Sequence, residues 1–359
     1  MSHLDFTLAL HRALAPDPTK QVCWSPYSAA SALVLLAEGA RGKTREELTA
    51  LLGDLPELGA ALGSAATLDQ VWAEQPEPVL ASVDTLWADA VIGVEPEFAD
   101  RLASTGGSVR NAPFQAEPAK ARDQINTDVA ETTRGLIPEL LPPDAIRSDT
   151  VSILVNALYL KTSWEGEFVA DEAPGRFSGV QGPVDVPTMF VDKRVLYTAR
   201  DGWQAVGLPA LGGVQAVVLL PDGDLAAAES ALTAASLEAV LEAMDWTQVG
   251  LRMPKLDVST QVELTQALIN LDVTTVFTDQ ADLSGISQDP LYAQSVLHES
   301  VLRVDEKGLE GAAATAIALA LAALPTDRVD ITVDRPFLLL VRHRETGVVY
   351  FLARVTDPS

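Results

Sequence analysis

The chain has 359 residues, 25 of them basic and 50 acidic, for a formal net charge of −25 at pH 7. That balance excludes a nucleic-acid or anionic-membrane binder driven by a basic surface, because phosphate affinity comes from clustered Lys and Arg that release counterions. With 48% hydrophobic and 21% charged residues, the chain has the apolar content of a packed core and not that of an acidic disordered segment.

One cysteine, Cys23, excludes an internal disulfide and a cysteine-based zinc cluster. Set between Val22 and Trp24, it reads as a small buried hydrophobe and not as a reactive thiol. The four histidines, His3, His11, His298 and His343, include no pair at metal-ligand spacing, so no metal and no cofactor is expected. The start of the chain lacks the basic, apolar and small-residue succession of a signal peptide. The expected location is therefore cytoplasmic, or extracellular if a leader was removed. No apolar run reaches the ~18–20 residues that cross a bilayer. The 18 Arg against 7 Lys, with abundant alanine, suggest a GC-rich bacterial source.

The first elements are helical. From Ser25 to Leu52, Ser25-Pro26 opens a helix carrying Ala30, Leu33, Val34, Leu36 and Ala37. Gly39 and Gly42 interrupt it, and Thr44 with Glu47 is expected to form a capping box for a second helix over Glu46–Leu52. A further amphipathic stretch runs from Ile125 to Thr133 and is closed by Gly135. From Thr150 the character changes. Val151, Ile153, Val155, Ala157 and Tyr159 alternate with Ser152, Leu154, Asn156, Leu158 and Leu160, a strand apolar on both faces and hence central in a sheet. Asn156 is its one strongly polar member, and a buried amide needs a hydrogen-bond partner.

Strand patterns follow at Val184–Met189, Gln204–Leu208, Val214–Leu220 and Gly250–Met253. A helix is expected over Gln261–Asn270, and the last strands over Val329–Val333, Phe337–Arg342 and Val348–Val355. Helices early and strands late indicate an α+β fold and not regular βαβ alternation.

No Gly-x-Ser-x-Gly elbow, His-Glu-x-x-His helix, Walker loop or dinucleotide fingerprint occurs. Gly308-Leu309-Glu310-Gly311 lacks the third glycine of a phosphate loop. His298-Glu299-Ser300 gathers suggestive residue types, but adjacent positions do not face one another in a strand or a helix. Nothing in the sequence points to an enzyme.

The segment from Glu306 to Pro325 fits none of these patterns. At period two, Leu309, Gly311, Ala313, Thr315, Ile317, Leu319 and Leu321 share one face, and Glu310, Ala312, Ala314, Ala316, Ala318, Ala320 and Ala322 the other. Ile317, Leu321 and Leu324 also satisfy a helical stripe, and composition alone favours a helix. An exposed, protease-accessible loop is the third reading.

Glu306-Lys307-Gly308-x-Glu310 followed by small residues resembles the hinge of the reactive loop of serpins, the serine protease inhibitor superfamily. Further motifs lie in the family's order. Ser25-Pro26-Tyr27-Ser28 and Gly39-Ala40-Arg41-Gly42-Lys43-Thr44 come first, then Ile125-Asn126 with Val129, Thr133, Gly135 and Leu140-Leu141. Leu154 to Lys161 with Trp164 and Phe168, Pro254-Lys255, Asp282 to Ile286, Val333 to Leu338 and Phe351 to Val355 complete the set.

The resemblance implies a single serpin domain over 1–359, with roughly nine helices around three β-sheets and an exposed reactive loop at about 306–325. It implies a suicide substrate. A target serine protease would attack the loop at Ala322-Ala323, with Leu321 as the alternative site, and become trapped as an acyl-enzyme while the loop enters the central sheet. Small Ala322 suits elastase-like or subtilisin-like enzymes, and Leu321 chymotrypsin-like ones. The hinge would comprise Glu306, Gly308, Leu309, Glu310, Gly311, Ala312, Ala313, Ala314 and Thr315.

Ser25, Ser28, Asn156 and His298 resemble the family's shutter, which controls strand separation. Trp164, Lys255 and Glu306 resemble its breach, where insertion starts. The family usually has Thr or Ser at the position of Leu309 and Ala at that of Gly311. Neither change introduces a charge or a proline. The expected partners are target serine proteases, bound covalently by a monomer, with no nucleic acid, membrane or glycosaminoglycan. The alternative is a non-inhibitory serpin with a binding or chaperone role.

Overall fold

A computed structural model describes residues 1–72, 75–105, 107–147, 149–166, 168–309 and 328–358. The chain begins with α1 (His3–Leu14), the short strand β1 (Val22–Trp24), α2 (Pro26–Gly39), α3 (Gly42–Leu52) and α4 (Leu55–Ala65). Then come β2 (Val79–Asp89), α5 (Pro96–Thr105), β3 (Ser108–Ala112), α6 (Pro118–Thr132) and β4 (Ser152–Ser163). The middle is strand-rich: β5 (Val169–Ala170), β6 (Gly175–Gly179), β7 (Gly182–Val186), β8 (Thr188–Arg200), β9 (Trp203–Ala210) and β10 (Val214–Pro221). After α7 (Leu225–Ala231) and α8 (Ala234–Glu242) follow β11 (Asp245–Pro254), β12 (Leu256–Glu263), α9 (Thr265–Ile269) and β13 (Val296–Val304). The chain closes with β14 (Gly308–Leu309), β15 (Val329–Thr332), β16 (Phe337–His343) and β17 (Val349–Val355).

Among the described residues these nine α-helices surround three sheets, as the α+β reading expects. The central six-stranded sheet has the order β12-β13-β14-β4-β2-β3. The second runs β1-β17-β16-β10-β9-β8-β11-β15, with β5 beside β8, and β6-β7 form a hairpin.

β4 is buried along almost its whole length because both faces of the central sheet are covered. Leu154, Leu158 and Leu160 join the main core, which also takes in α2 and the second sheet. Ile153, Val155 and Ala157 point the other way, into a smaller core with Ile125 and Val129 of α6. Helix α2 starts where expected. Ser25 Oγ accepts the Ser28 amide at 3.1 Å, and Pro26 occupies the first turn, where its missing N–H costs nothing.

Three local expectations need correction. The capping box at Thr44 and Glu47 does not form: α3 starts at Gly42, four residues before the expected Glu46, without a side-chain cap. Both side chains serve a distant segment instead, Thr44 accepting the Asp282 amide at 2.9 Å and Glu47 the Thr275 amide at 2.7 Å. The helix expected over Gln261–Asn270 is only Thr265–Ile269, because Gln261 to Glu263 pair with β13 as the end of β12. The single strand expected over Val184–Met189 is split between β7 and β8. Among the described residues, no helix is long and apolar enough to cross a membrane, and no group of three or more His, Cys, Asp or Glu could hold a metal.

Candidate functional site

The central sheet contains one unusual seam. β4 and β13 pair directly and in parallel over Leu154 to Leu158 and Val296 to Ser300, but at the top of the sheet β14 separates them. Leu309 is antiparallel to both neighbours, opposite Thr162 on β4 and Val304 on β13. Gly308 sits opposite Ser163, and a Cβ there would lie 2.1 Å from the Thr162 carbonyl oxygen, so the wedge requires glycine at this point. Leu309 is 1% exposed and belongs to the main core. Its apolar side chain is therefore used in the sheet as it stands.

The turn leading into the wedge is tied down by side chains. Asp305 Oδ1 accepts the amides of Lys307 at 2.8 Å and Gly308 at 3.1 Å. Trp164 donates its indole N–H to the Asp305 carbonyl at 2.8 Å and its backbone N–H to the Lys307 carbonyl at 3.0 Å. Lys255 Nζ meets Glu306 Oε2 at 2.8 Å. Burial opposes the Glu306 charge most strongly, but the Lys255 ammonium, a backbone N–H and the Lys307 charge together outweigh it and hold the carboxyl below its usual range. The structure thus brings Trp164, Lys255 and Glu306 together at the top of the seam, with Lys255 and Glu306 joined as an ion pair.

Halfway down, a row of polar side chains crosses three strands. Asp84 of β2 is the direct register partner of Asn156 on β4, and Asn156 that of His298 on β13. His298 Nε2 accepts the Ser25 amide at 2.9 Å, which fixes the tautomer, because a backbone N–H can only donate. The ring proton is therefore on Nδ1 and is donated to Asn156 Oδ1 at 2.6 Å. Asn156 Nδ2 then donates to the Ser28 carbonyl and to Asp84 Oδ1. Burial pushes the His298 imidazole down to about 3, so it stays neutral. Ser300 also donates its hydroxyl to Nε2, at 2.9 Å, while Glu299 lies on the other face of β13, so His298-Glu299-Ser300 is no triad.

Ser25, Ser28, Asn156 and His298 are thus gathered in one place. Two further members join them: Asp84, which the sequence did not point to, and Ser300, which the sequence set beside His298 without placing it in this cluster. An acid between Val83 and Thr85 reads as a solvated position until the register of β2 against β4 is known. Cys23 is fully buried, and burial pushes its thiol up, out of reach of thiolate chemistry. Glu310, Gly311, Ala312, Ala313, Ala314, Thr315, Leu321, Ala322 and Ala323 lie outside the described residues. The chain is described again from Arg328, whose guanidinium bonds Asp192 at 2.7 Å and Asp330 at 2.5 Å, close above Phe190. It anchors the start of β15, which pairs in parallel with β11 at the edge of the second sheet.

A family model described as serpin (serine protease inhibitor) matches residues 1–358. The chain belongs to the serpin family. Members of this family are protease inhibitors rather than enzymes. This serpin is 31% identical to an uncharacterized serpin-like protein of Thermococcus kodakarensis, over 99% of this chain and 84% of that protein. It is 33% identical to Serpin-ZX of Hordeum vulgare, over 96% and 92%, and 31% identical to Iris of Ixodes ricinus, over 99% and 97%. Its fold is shared with human thyroxine-binding globulin complexed with thyroxine, at a TM-score of 0.88 and 24% identity over 99% and 97% of the two chains. Uncleaved ovalbumin has a TM-score of 0.87 at 22% identity, over 99% and 98%.

Proposed function

We propose that this serpin is inhibitory and acts as a suicide substrate, the segment after Leu309 entering the central sheet between β4 and β13 once a serine protease has attacked it. The observation that carries this reading is the wedge: Gly308 and Leu309 already pair with both strands above a seam joined directly below.

Continuing that register supports it. Six residues beyond Leu309, Thr315 would come opposite Asn156 and His298 together, since these lie six residues from Thr162 and Val304. Its hydroxyl both donates and accepts, so it can bridge the amide and the imidazole once their own bond is broken. By the same alternation Gly311, Ala313, Ile317 and Leu319 would share the inward face of Leu309, each large one contributing ~1.5–3 kcal/mol on full burial. Ala312, Ala314, Ala316 and Ala318 would face α6, where small side chains fit beneath a helix already packed on the sheet.

The protease serine forms an acyl bond to the loop at Ala322, releasing the amine of Ala323. Insertion then carries the tethered protease the length of the sheet and distorts its active site before water completes hydrolysis. Shutter and breach roles fit the two clusters described above: Asn156 and His298 resist parting at mid-sheet, and Trp164, Lys255 and Glu306 hold the entry.

The test is incubation with elastase-like, subtilisin-like, chymotrypsin-like and trypsin-like proteases. A complex that survives boiling in detergent is expected with one of the first three. Cleavage without any complex, by every protease, would leave the binding or chaperone alternative.

A further inference from the structure

We propose that Asp84 is a positioning residue for the seam: it orients the Asn156 amide that ties β4 to β13, and its protonation state sets how readily these strands part. The inference concerns opening of the sheet and rests on the insertion reading only for its consequence.

The geometry gives Asp84 a single route of action. It occupies β2, directly opposite Asn156, and takes one of the two Nδ2 protons of that amide. The other goes to the Ser28 carbonyl, which leaves Oδ1 to accept from His298. An ionised carboxylate can only accept, so it holds the amide in the orientation that serves the seam.

The same carboxylate is 6% exposed, and among the described residues no cation contributes to its environment. Burial drives its carboxyl up to about 7, and only hydrogen bonds from Ser82 and Asn156 pull the other way. Tyr27, which faces it from α2, is pushed up to about 12 by burial, and His298 is pushed down to about 3. Neither changes charge between pH 5 and 8. Glu299 of β13 is also raised by burial, but it lies on the opposite face of the sheet.

Two effects of ionisation compete. A charged acceptor roughly doubles the strength of its own hydrogen bond from the Asn156 amide and, through it, strengthens the bond to His298 by about 10–30%. Against this stands the burial of an unpaired charge, which holds the group near 7 instead of 3.8. The second effect is much the larger. Water admitted by parting strands relieves it, so the opened seam binds the proton more weakly than the closed one. Acid therefore favours the closed seam, and opening grows as pH rises to about 7 and levels off above it.

Hydrogen exchange of the uncleaved full chain, without protease, tests this on the amides of residues 154–158 and 296–300, with β9 and β10 as reference. After correction for intrinsic exchange, protection should fall roughly ten- to thirtyfold between pH 5.5 and 8 in the wild type. The fall should vanish in Asp84→Asn, which keeps the acceptor without the titration, and persist in Glu299→Gln. Independently of any variant, the carboxyl carbon resonance of Asp84 should titrate near 7. Titration near 4, pH-independent protection in the wild type, or an unchanged slope in Asp84→Asn would each overturn the proposal. None of these readings depends on whether a protease is trapped.

Discussion

Asn156 Oδ1 and His298 Nδ1 lie 2.6 Å apart across the middle of the parallel seam, fully buried, with the tautomer of the ring set by the Ser25 amide behind it. Replacing Asn156 with Ala leaves both the His298 N–H and the Asp84 carboxylate without this partner. Asp84 still accepts from Ser82, but the His298 N–H is orphaned, and such a buried group costs about 1–3 kcal/mol. Urea unfolding of Asn156→Ala at pH 7 should show a loss in or above that range, and a loss below 0.5 kcal/mol would count against the role given to this bond.

Gly308 has no room for a side chain against Thr162. Gly308→Val should therefore expel β14 from the sheet. Trp164, whose indole bonds the adjacent turn, reports on this through its emission, which should shift to the red. An unshifted spectrum with normal protection of the Leu309 amide would show that the wedge tolerates a Cβ.

Lys255 and Glu306 are both partly exposed, so their pair is worth only ~0–1 kcal/mol to overall stability. Its position at the top of the seam gives it a different importance. Lys255→Ala should leave the unfolding midpoint nearly unchanged while speeding amide exchange at Gly308 and Leu309. A large drop in the midpoint without faster local exchange would mean a bulk role instead.

Part of this site was legible in the sequence and part was not. β4 could be read because a continuous apolar run broken by one amide fits a central strand, and Asn156 announced a partner without naming it. Asp84 stayed hidden because the row exists only once β2, β4 and β13 are in register. The same cause explains the misread segments. Thr44 and Glu47 have the spacing of a cap but bond Asp282 and Thr275, and Gln261 to Glu263 have helix-forming residues but complete a ladder with β13. Long-range pairing overrode local preference in each case.

Acid should weaken the fold through Glu229. This carboxylate is buried between His11 Nε2 at 2.7 Å and Arg354 Nη2 at 2.6 Å. Burial opposes its charge, but the two partners prevail and hold it down at about 2, against 4.5 ordinarily. A depressed folded value gives stability that is complete above 4.5 and is lost as pH falls towards 2. Glu229→Gln leaves the Arg354 charge uncompensated, so it should cost about 3–5 kcal/mol at pH 7 and progressively less towards pH 2. Unfolding midpoints measured across that range check the sign. An equal loss at both ends would contradict it.

Whether the segment after Leu309 inserts through the seam is decided most directly by Thr315→Arg, compared with the wild type in the detergent-stable complex assay. A charged side chain placed between Asn156 and His298 cannot be buried there without a partner. The wild type should trap the protease, and the variant should be cleaved at the same bond at a similar initial rate but yield little or no complex. An equal yield of complex from both proteins would contradict insertion in the register set by Leu309.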